Sequence, residues 1–205
     1  MDNRSRMAQV GHAHSELQTK AALRQTFRAR RAAAVQALRE AGIEPEGPMA
    51  RWLSQAGRIK HDAVVALYRP MADELDPLRL VASVRQPLAL PCVFAKAAPL
   101  LFRRWSPGAP LRRGVWNIEE PEPTAAAVEP DVLLVPLLAV DAQGFRLGYG
   151  GGYYDRTLSG LRRRKPIFAI GLALDIQRVD VLPRSDYDEP VDAILTPSGL
   201  FAAQS

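Results

Sequence analysis

The chain has 205 residues, 47% hydrophobic and 24% charged, with a single cysteine and a net charge of +5. That is the composition of a folded globular protein of about one domain, and it excludes global disorder, a disulfide scaffold and the usual zinc ligand sets. The charge is uneven: residues 1–60 hold 11 Lys/Arg against 5 Asp/Glu, so the basic excess sits in the N-terminal part.

Residues 1–14 carry no apolar pattern and are expected to be a disordered tail, with no secretory signal. Ser15 and Gln18 have capping-box spacing, which predicts a helix over about 16–41 that stops at Gly42. Leu23, Phe27, Ala34 and Leu38 form its apolar stripe. Lys20, Arg24, Arg28 and Arg31 fall within an arc of about 80° on one face. That stripe is either a solvated face or a set of cations reaching a phosphate.

A turn region follows, then a short helix over about 49–56, a buried strand over 63–68 and a helix over 75–85 opened by Asp76-Pro77. Strands are predicted over 88–95 and 100–105, with a proline-rich connection over 106–130. The most apolar run, residues 131–140, reads as a buried strand and is far shorter than the ~20 residues of a membrane span. A glycine-rich loop, a helix over about 153–164, a strand over 166–174 and a last strand over 191–195 complete the chain. Apolar strands alternating with helices predict an α/β fold, an open, largely parallel sheet with helices on both faces in a Rossmann-like three-layer sandwich. Residues 15–200 are expected to form one domain, with ligands at the carboxyl ends of the strands.

The chemistry concentrates in Arg146-Leu-Gly148-Tyr-Gly150-Gly151-Gly152-Tyr153-Tyr154-Asp155-Arg156. Three glycines around Gly151 allow positive φ and close approach of backbone to a ligand. The helix that follows offers free N–H groups to phosphate. The segment is neither a Walker loop nor a dinucleotide fingerprint, and a plain strand-to-helix turn is the alternative. Asp155 either favours the helix dipole or holds Mg²⁺ beside phosphates. Asp186, Asp188 and Asp192 are either a solvated acidic cluster or metal ligands. Glu74, after Tyr68-Arg69-Pro70, can accept a ligand N–H or start the next helix. Trp116 can pack as a lid or stack on a flat ligand.

The glycine segment, with Val135-Pro136 and Asp141 before it, resembles the signature of the 5-formyltetrahydrofolate cyclo-ligase family. Four further pieces agree in order: Lys20-Ala-Ala-Leu-Arg24, Tyr68-Arg-Pro with Glu74, Gly114-Val-Trp-Asn-Ile-Glu-Glu-Pro121, and Asp188-Glu-Pro-Val-Asp192. The resemblance covers roughly residues 17–197. It implies an ATP- and Mg²⁺-dependent enzyme that closes 5-formyltetrahydrofolate to 5,10-methenyltetrahydrofolate, releasing ADP and phosphate. On that resemblance Lys20, Arg24 and the run Arg146, Leu147, Gly148, Tyr149, Gly150, Gly151, Gly152, Tyr153 and Tyr154 bind ATP. Asp155 and Asp188 hold Mg²⁺; Arg69, Glu74 and Trp116 contact the folate; Arg146 and Tyr153 are the candidate catalytic residues. The sequence departs from the family pattern at Tyr149, where many relatives carry a basic residue, and at Asn117, where bacterial relatives often have glycine. A cytoplasmic monomer without nucleic-acid or membrane partners is expected. The rival readings are a sugar-phosphate or coenzyme A enzyme on a similar sheet, and an RNA-binding module that uses the basic helix.

Overall fold

The computed structural model describes residues 3–55 and 59–204. The first helix, α1 (Asn3–Glu40), starts well before the expected position, so most of the stretch read as a loose tail is helical. It ends where Gly42 turns left-handed (φ 66°) and Ile43 N–H caps Leu38 O at 2.9 Å, a glycine C-cap. Helix α2 (Glu46–Gln55) and strand β1 (Val65–Ala66) follow. The expected helix over 75–85 is a 3-10 helix, Pro77–Ser83, capped by Asp76 Oδ1, which accepts from Leu78 N–H at 2.9 Å.

Strands β2 (Leu88–Cys92) and β3 (Leu101–Trp105) agree with expectation. The proline-rich connection is not structureless. It contains β4 (Leu111–Arg113) paired with β5 (Glu119–Pro121), and the short β6 (Ala127–Val128). The apolar run over 131–140 is two strands rather than one. Pro136 has no N–H to continue a ladder, so β7 (Val132–Pro136) stops there and β8 (Ala139–Asp141) joins another sheet. Then come β9 (Arg146–Leu147), α3 (Tyr153–Arg162), β10 (Phe168–Leu172), β11 (Arg178–Val179), β12 (Ala193–Thr196) and β13 (Gly199–Ala202).

The main sheet has eight strands in the order β13-β12-β10-β7-β1-β2-β3-β6. Its centre, from β12 to β2, is parallel, and antiparallel β13, β3 and β6 flank it. The central strands are apolar throughout because both faces are covered. On one face Val65, Leu134, Ile170 and Leu195 pack with Val35 of α1 and Met49 and Leu53 of α2. On the other, Ala66, Leu133, Ala169 and Ile194 pack with Leu158 and Leu161 of α3. This is the expected three-layer α/β arrangement.

A three-stranded sheet, β11-β8-β9, sits over a small core of Phe27, Leu138, Ala139, Leu147 and Leu182. Asp141 organises its hairpin. The fully buried carboxylate accepts from Gln143 N–H at 3.1 Å and Phe145 N–H at 3.0 Å through Oδ1, and Oδ2 takes Arg184 Nη2 at 3.2 Å. That turn delivers β9 and the glycine segment to the carboxyl end of the main sheet. Among the described residues no helix is long and apolar enough to cross a membrane.

Candidate functional site

A cleft of about 660 Å³ opens at the carboxyl ends of β1, β2 and β7. Lys20, Arg24, Arg69, Glu74, Trp116, the run Arg146 to Tyr154, Asp155 and Asp188 all line it. Asp186 and Asp192 are not among its lining. Asp186 is exposed, and Asp192 instead pairs with Arg162 Nη2 at 3.0 Å and accepts Ala169 N–H at 2.6 Å.

One wall is the glycine loop between β9 and α3. Left-handed backbone falls on Gly150 (φ 96°) and Gly152 (φ 63°), not on the central Gly151 as expected. A Cβ at Gly151 would instead meet the Tyr153 ring at 2.8 Å. Gly152 is the N-cap of α3 and contributes no side-chain cap. The first amides of α3 are thus left to a ligand at the positive end of the helix dipole. From α1, Arg24 Nε donates to Gly148 O at 3.0 Å and Lys20 Nζ to Asp188 Oδ2 at 2.5 Å. The basic stripe is therefore divided. Lys20 and Arg24 face the cleft, the exposed Arg28 stacks on the Tyr149 ring at 5.2 Å, and Arg31 is buried. It is not one continuous solvated face.

Arg146 lies at the cleft floor with its side chain 4% exposed. It donates to Asp155 Oδ1 at 2.9 Å and to Glu189 O, and burial pulls its pKa down against the Asp155 charge. Asp155 Oδ1 also accepts Glu189 N–H at 3.3 Å, and Asp188 Oδ2 accepts Ser185 N–H at 2.8 Å. Asp155 Oδ2 and Asp188 Oδ1 have no hydrogen-bond partner among the described residues, and no three potential ligands cluster there. Two carboxylates, each with an oxygen to spare, fit a hard cation that takes its remaining ligands from phosphate and water.

The opposite wall carries Glu74, 7% exposed. Its Oε2 accepts Met71 N–H at 2.8 Å, while Oε1 is buried without a hydrogen-bond partner among the described residues. Burial pushes its carboxyl up, against the pull of the Met71 N–H and of Arg31. Tyr68 lies beside it and donates its hydroxyl to Leu75 O at 2.9 Å.

The β4–β5 hairpin closes over this wall. Its tip is held left-handed at Trp116 (φ 56°) and Asn117 (φ 61°). Asparagine tolerates that region, whereas tryptophan is strained there by about 1–3 kcal/mol. That backbone places the exposed Trp116 ring edge-on to Tyr153, with centroids 5.4 Å apart. Gly114 has no alternative, since a Cβ would lie 2.5 Å from the Glu120 carboxyl. Arg69 pairs with Glu119 of the hairpin and Arg112 Nη2 with Glu120 Oε1 at 2.5 Å.

Sequence reasoning missed Asp73 and Ser185, assigned no role to Glu119 and Glu120 within the Gly114 to Pro121 piece, and placed Arg31 on a solvated or phosphate-reaching face, whereas it is buried. Only their positions beside named motif residues could have flagged them.

The family model for 5-formyltetrahydrofolate cyclo-ligases matches residues 16–197. The 5-formyltetrahydrofolate cyclo-ligase of Haemophilus influenzae is 41% identical over 100 residues, 47% of this chain and 53% of that protein, so the match spans about half the length of that curated relative. The 5-formyltetrahydrofolate cyclo-ligase of Mycolicibacterium smegmatis is 32% identical over 190 residues, 87% of this chain and 94% of that one. Among solved structures, Aquifex aeolicus 5,10-methenyltetrahydrofolate synthetase superposes with a TM-score of 0.71 at 30% identity, covering 91% of this chain and 93% of that one.

Proposed function

The chain belongs to the 5-formyltetrahydrofolate cyclo-ligase family, and from that membership we propose that it converts 5-formyltetrahydrofolate to 5,10-methenyltetrahydrofolate, with ATP cleaved to ADP and phosphate. The observation that carries the reading is the convergence of Lys20, Arg24, Arg69, Glu74, Trp116, the run Arg146 to Tyr154, Asp155 and Asp188, drawn from separate segments of the chain, on one cleft.

The reaction needs a better leaving group than a formyl oxygen. That oxygen attacks the γ-phosphorus, ADP leaves, and the formyl carbon becomes an electrophile bearing a phosphate. N10 of the folate attacks this carbon, the N10 proton is lost, and the C–O bond to phosphate breaks as the ring closes. No protein nucleophile takes part. The protein's work is to place two substrates in line and to neutralise spreading phosphate charge.

The residues suit that work. The amides after Gly152, with Lys20 and Arg24, cradle the phosphates. The Arg146 guanidinium, buried at the floor, faces the transferring group, and Tyr153 walls it from water. Asp155 and Asp188 would hold Mg²⁺ through the phosphates, and the ion would neutralise oxygen charge during transfer. Glu74 Oε1 accepts a pterin N–H, Trp116 covers the pterin face, and Arg69 lies at the folate's outer end. The test is direct. Purified protein given 5-formyltetrahydrofolate, ATP and Mg²⁺ should develop the near-ultraviolet absorbance of the methenyl product, and none without ATP. No product in the complete mixture sinks the proposal.

A further inference from the structure

Arg31 is the deepest charge on α1 among the described residues, 2% exposed. A guanidinium stays charged at any working pH, so burial is tolerable only if its donors are met. Nε and Nη2 grip Asp73 at 2.9 and 3.2 Å, Nη1 donates to Leu137 O at 3.2 Å, and Nη2 donates to the Tyr149 hydroxyl at 2.6 Å. Nη1 also stands 3.9 Å from Glu74 Oε1. Burial works against the charge, yet the bonds to Asp73 and Tyr149 hold the Arg31 pKa above its ordinary value.

Four segments thus meet at one rigid fork: α1, the loop after β1, the chain just past β7, and the glycine loop. Two belong to different halves of the cleft. Tyr149 sits in the proposed nucleotide loop, its ring also held by Arg28 and Arg31 at 5.2 and 5.7 Å. Glu74 sits in the proposed folate wall; the Tyr149 hydroxyl, which accepts from Arg31, also points its proton toward this carboxylate, and Oε1 has no closer hydrogen-bond partner among the described residues. A ligand N–H on that oxygen would favour the carboxylate and strengthen its attraction to Arg31. The same guanidinium, held more firmly, fixes the Tyr149 hydroxyl and with it the course of the loop between Gly148 and Gly150.

We infer that Arg31 is a positioning residue that couples the two halves of the cleft, so that filling one preorganises the other. The inference rests on the functional reading above. It also gives Tyr149 a use: the phenol is the loop's handle on the fork.

The experiment is a two-ligand calorimetric titration. A non-hydrolysable ATP analogue and 5-formyltetrahydrofolate are each titrated alone and onto protein saturated with the other. In the native protein each should tighten the other by the same factor, about fivefold or more. In Arg31→Gln the factor should fall to near one, and Arg31→Lys should not restore it, because lysine keeps the charge without the fork. Tyr149→Phe removes a hydroxyl and no buried charge, so it decides the matter should the Arg31 variants fail to fold. It should bring the factor below about twofold. A side chain that merely stabilised the fold would leave this ratio untouched. Undiminished coupling in Tyr149→Phe, or binding of both ligands to the native protein without coupling, overturns the inference alone. Failure of the native protein to bind either ligand overturns the functional reading and the inference with it.

Discussion

Two glycines of the same loop should respond oppositely to alanine. Gly150 sits at φ 96°, and a Cβ there would stand 3.2 Å from Arg24 Cζ. Gly148 has ordinary φ and nothing within 4 Å of a Cβ. Gly150→Ala therefore adds backbone strain of ~1–2 kcal/mol and displaces Arg24 from Gly148 O, a charge-assisted bond worth about 1.5 kcal/mol. Together these come to about 3 kcal/mol, and at ~2–4 °C per kcal/mol for a chain of this size Tm should fall by roughly 6–12 °C. Gly148→Ala only restricts the unfolded chain and should be neutral or stabilising by up to about 1 kcal/mol. Differential scanning calorimetry measures both. Titration with an ATP analogue should show Gly150→Ala weakened about tenfold or more, the value of a lost charged contact. Unchanged melting of Gly150→Ala, or a lower Tm for Gly148→Ala than for Gly150→Ala, would refute the reasoning.

The two metal-candidate aspartates should separate. Asp188→Asn keeps an amide oxygen for Lys20 at a partly buried site and should raise the Mg²⁺ concentration needed for half-maximal activity with a smaller loss of Tm than Asp155→Asn. Asp155→Asn strips the buried Arg146 of its ion partner and should lower Tm as well, by an amount approaching the ~3 kcal/mol of a broken buried pair. Equal Mg²⁺ titrations of both variants and native protein would reduce them to cap and loop residues. Lys20→Ala should weaken ATP-analogue binding by about 1–3 kcal/mol, and normal affinity in calorimetry would place the nucleotide elsewhere. For Glu74 the sign is the reverse of a salt-bridged acid. Burial raises its carboxyl above the ordinary 4.5, so the native protein keeps the proton to higher pH than the unfolded chain does. Its stabilising contribution is complete below the unfolded value and lost as pH rises through the native one. Glu74→Gln should accordingly melt at or above the native protein at pH 7, the gap closing near pH 4, while KM for the folate rises far more than KM for ATP. A lower Tm at pH 7 would show that the carboxylate is better satisfied than its geometry indicates.

The architecture was readable where local pattern and burial agree. Val65 and Ala66, or Phe168 to Leu172, are apolar on consecutive residues because both faces of a parallel sheet are covered. The misreadings have local causes. The run from Val132 to Val140 is apolar throughout, so its pattern does not show that the missing N–H of Pro136 ends one ladder and frees the next residues for a second sheet. The β4–β5 hairpin escaped because its turn puts Trp116 beside Asn117 in the left-handed region, a conformation that tryptophan does not signal, inside a proline-rich stretch. A 3-10 helix over Pro77–Ser83 and an α-helix share the same proline start. In the site, Lys20, Arg24, the glycine run, Asp155 and Asp188 were legible because glycines, aspartates and cations at fixed spacing carry chemistry in their types, whereas Asp192 of the same motifs pairs with Arg162 outside the cleft. Arg31 could not be read this way: on a helical wheel it is one more cation of a basic face, and only the fold reveals that Asp73, Leu137 and Tyr149 surround it.

The outer edges of the main sheet bear on how this protein behaves in concentrated solution. An open sheet exposes a row of unpaired amides at each end, and a second molecule can dock there strand to strand. Here one end is β6, only two residues long and followed shortly by Pro130, which has no amide to offer. At the other end the chain leaving β13 turns inward: Ala203 N–H goes to Asp192 O at 3.0 Å and Gln204 N–H to Ala142 O at 2.9 Å. Both borders are short, two residues in β6 and four in β13, so neither offers a long template to a second molecule.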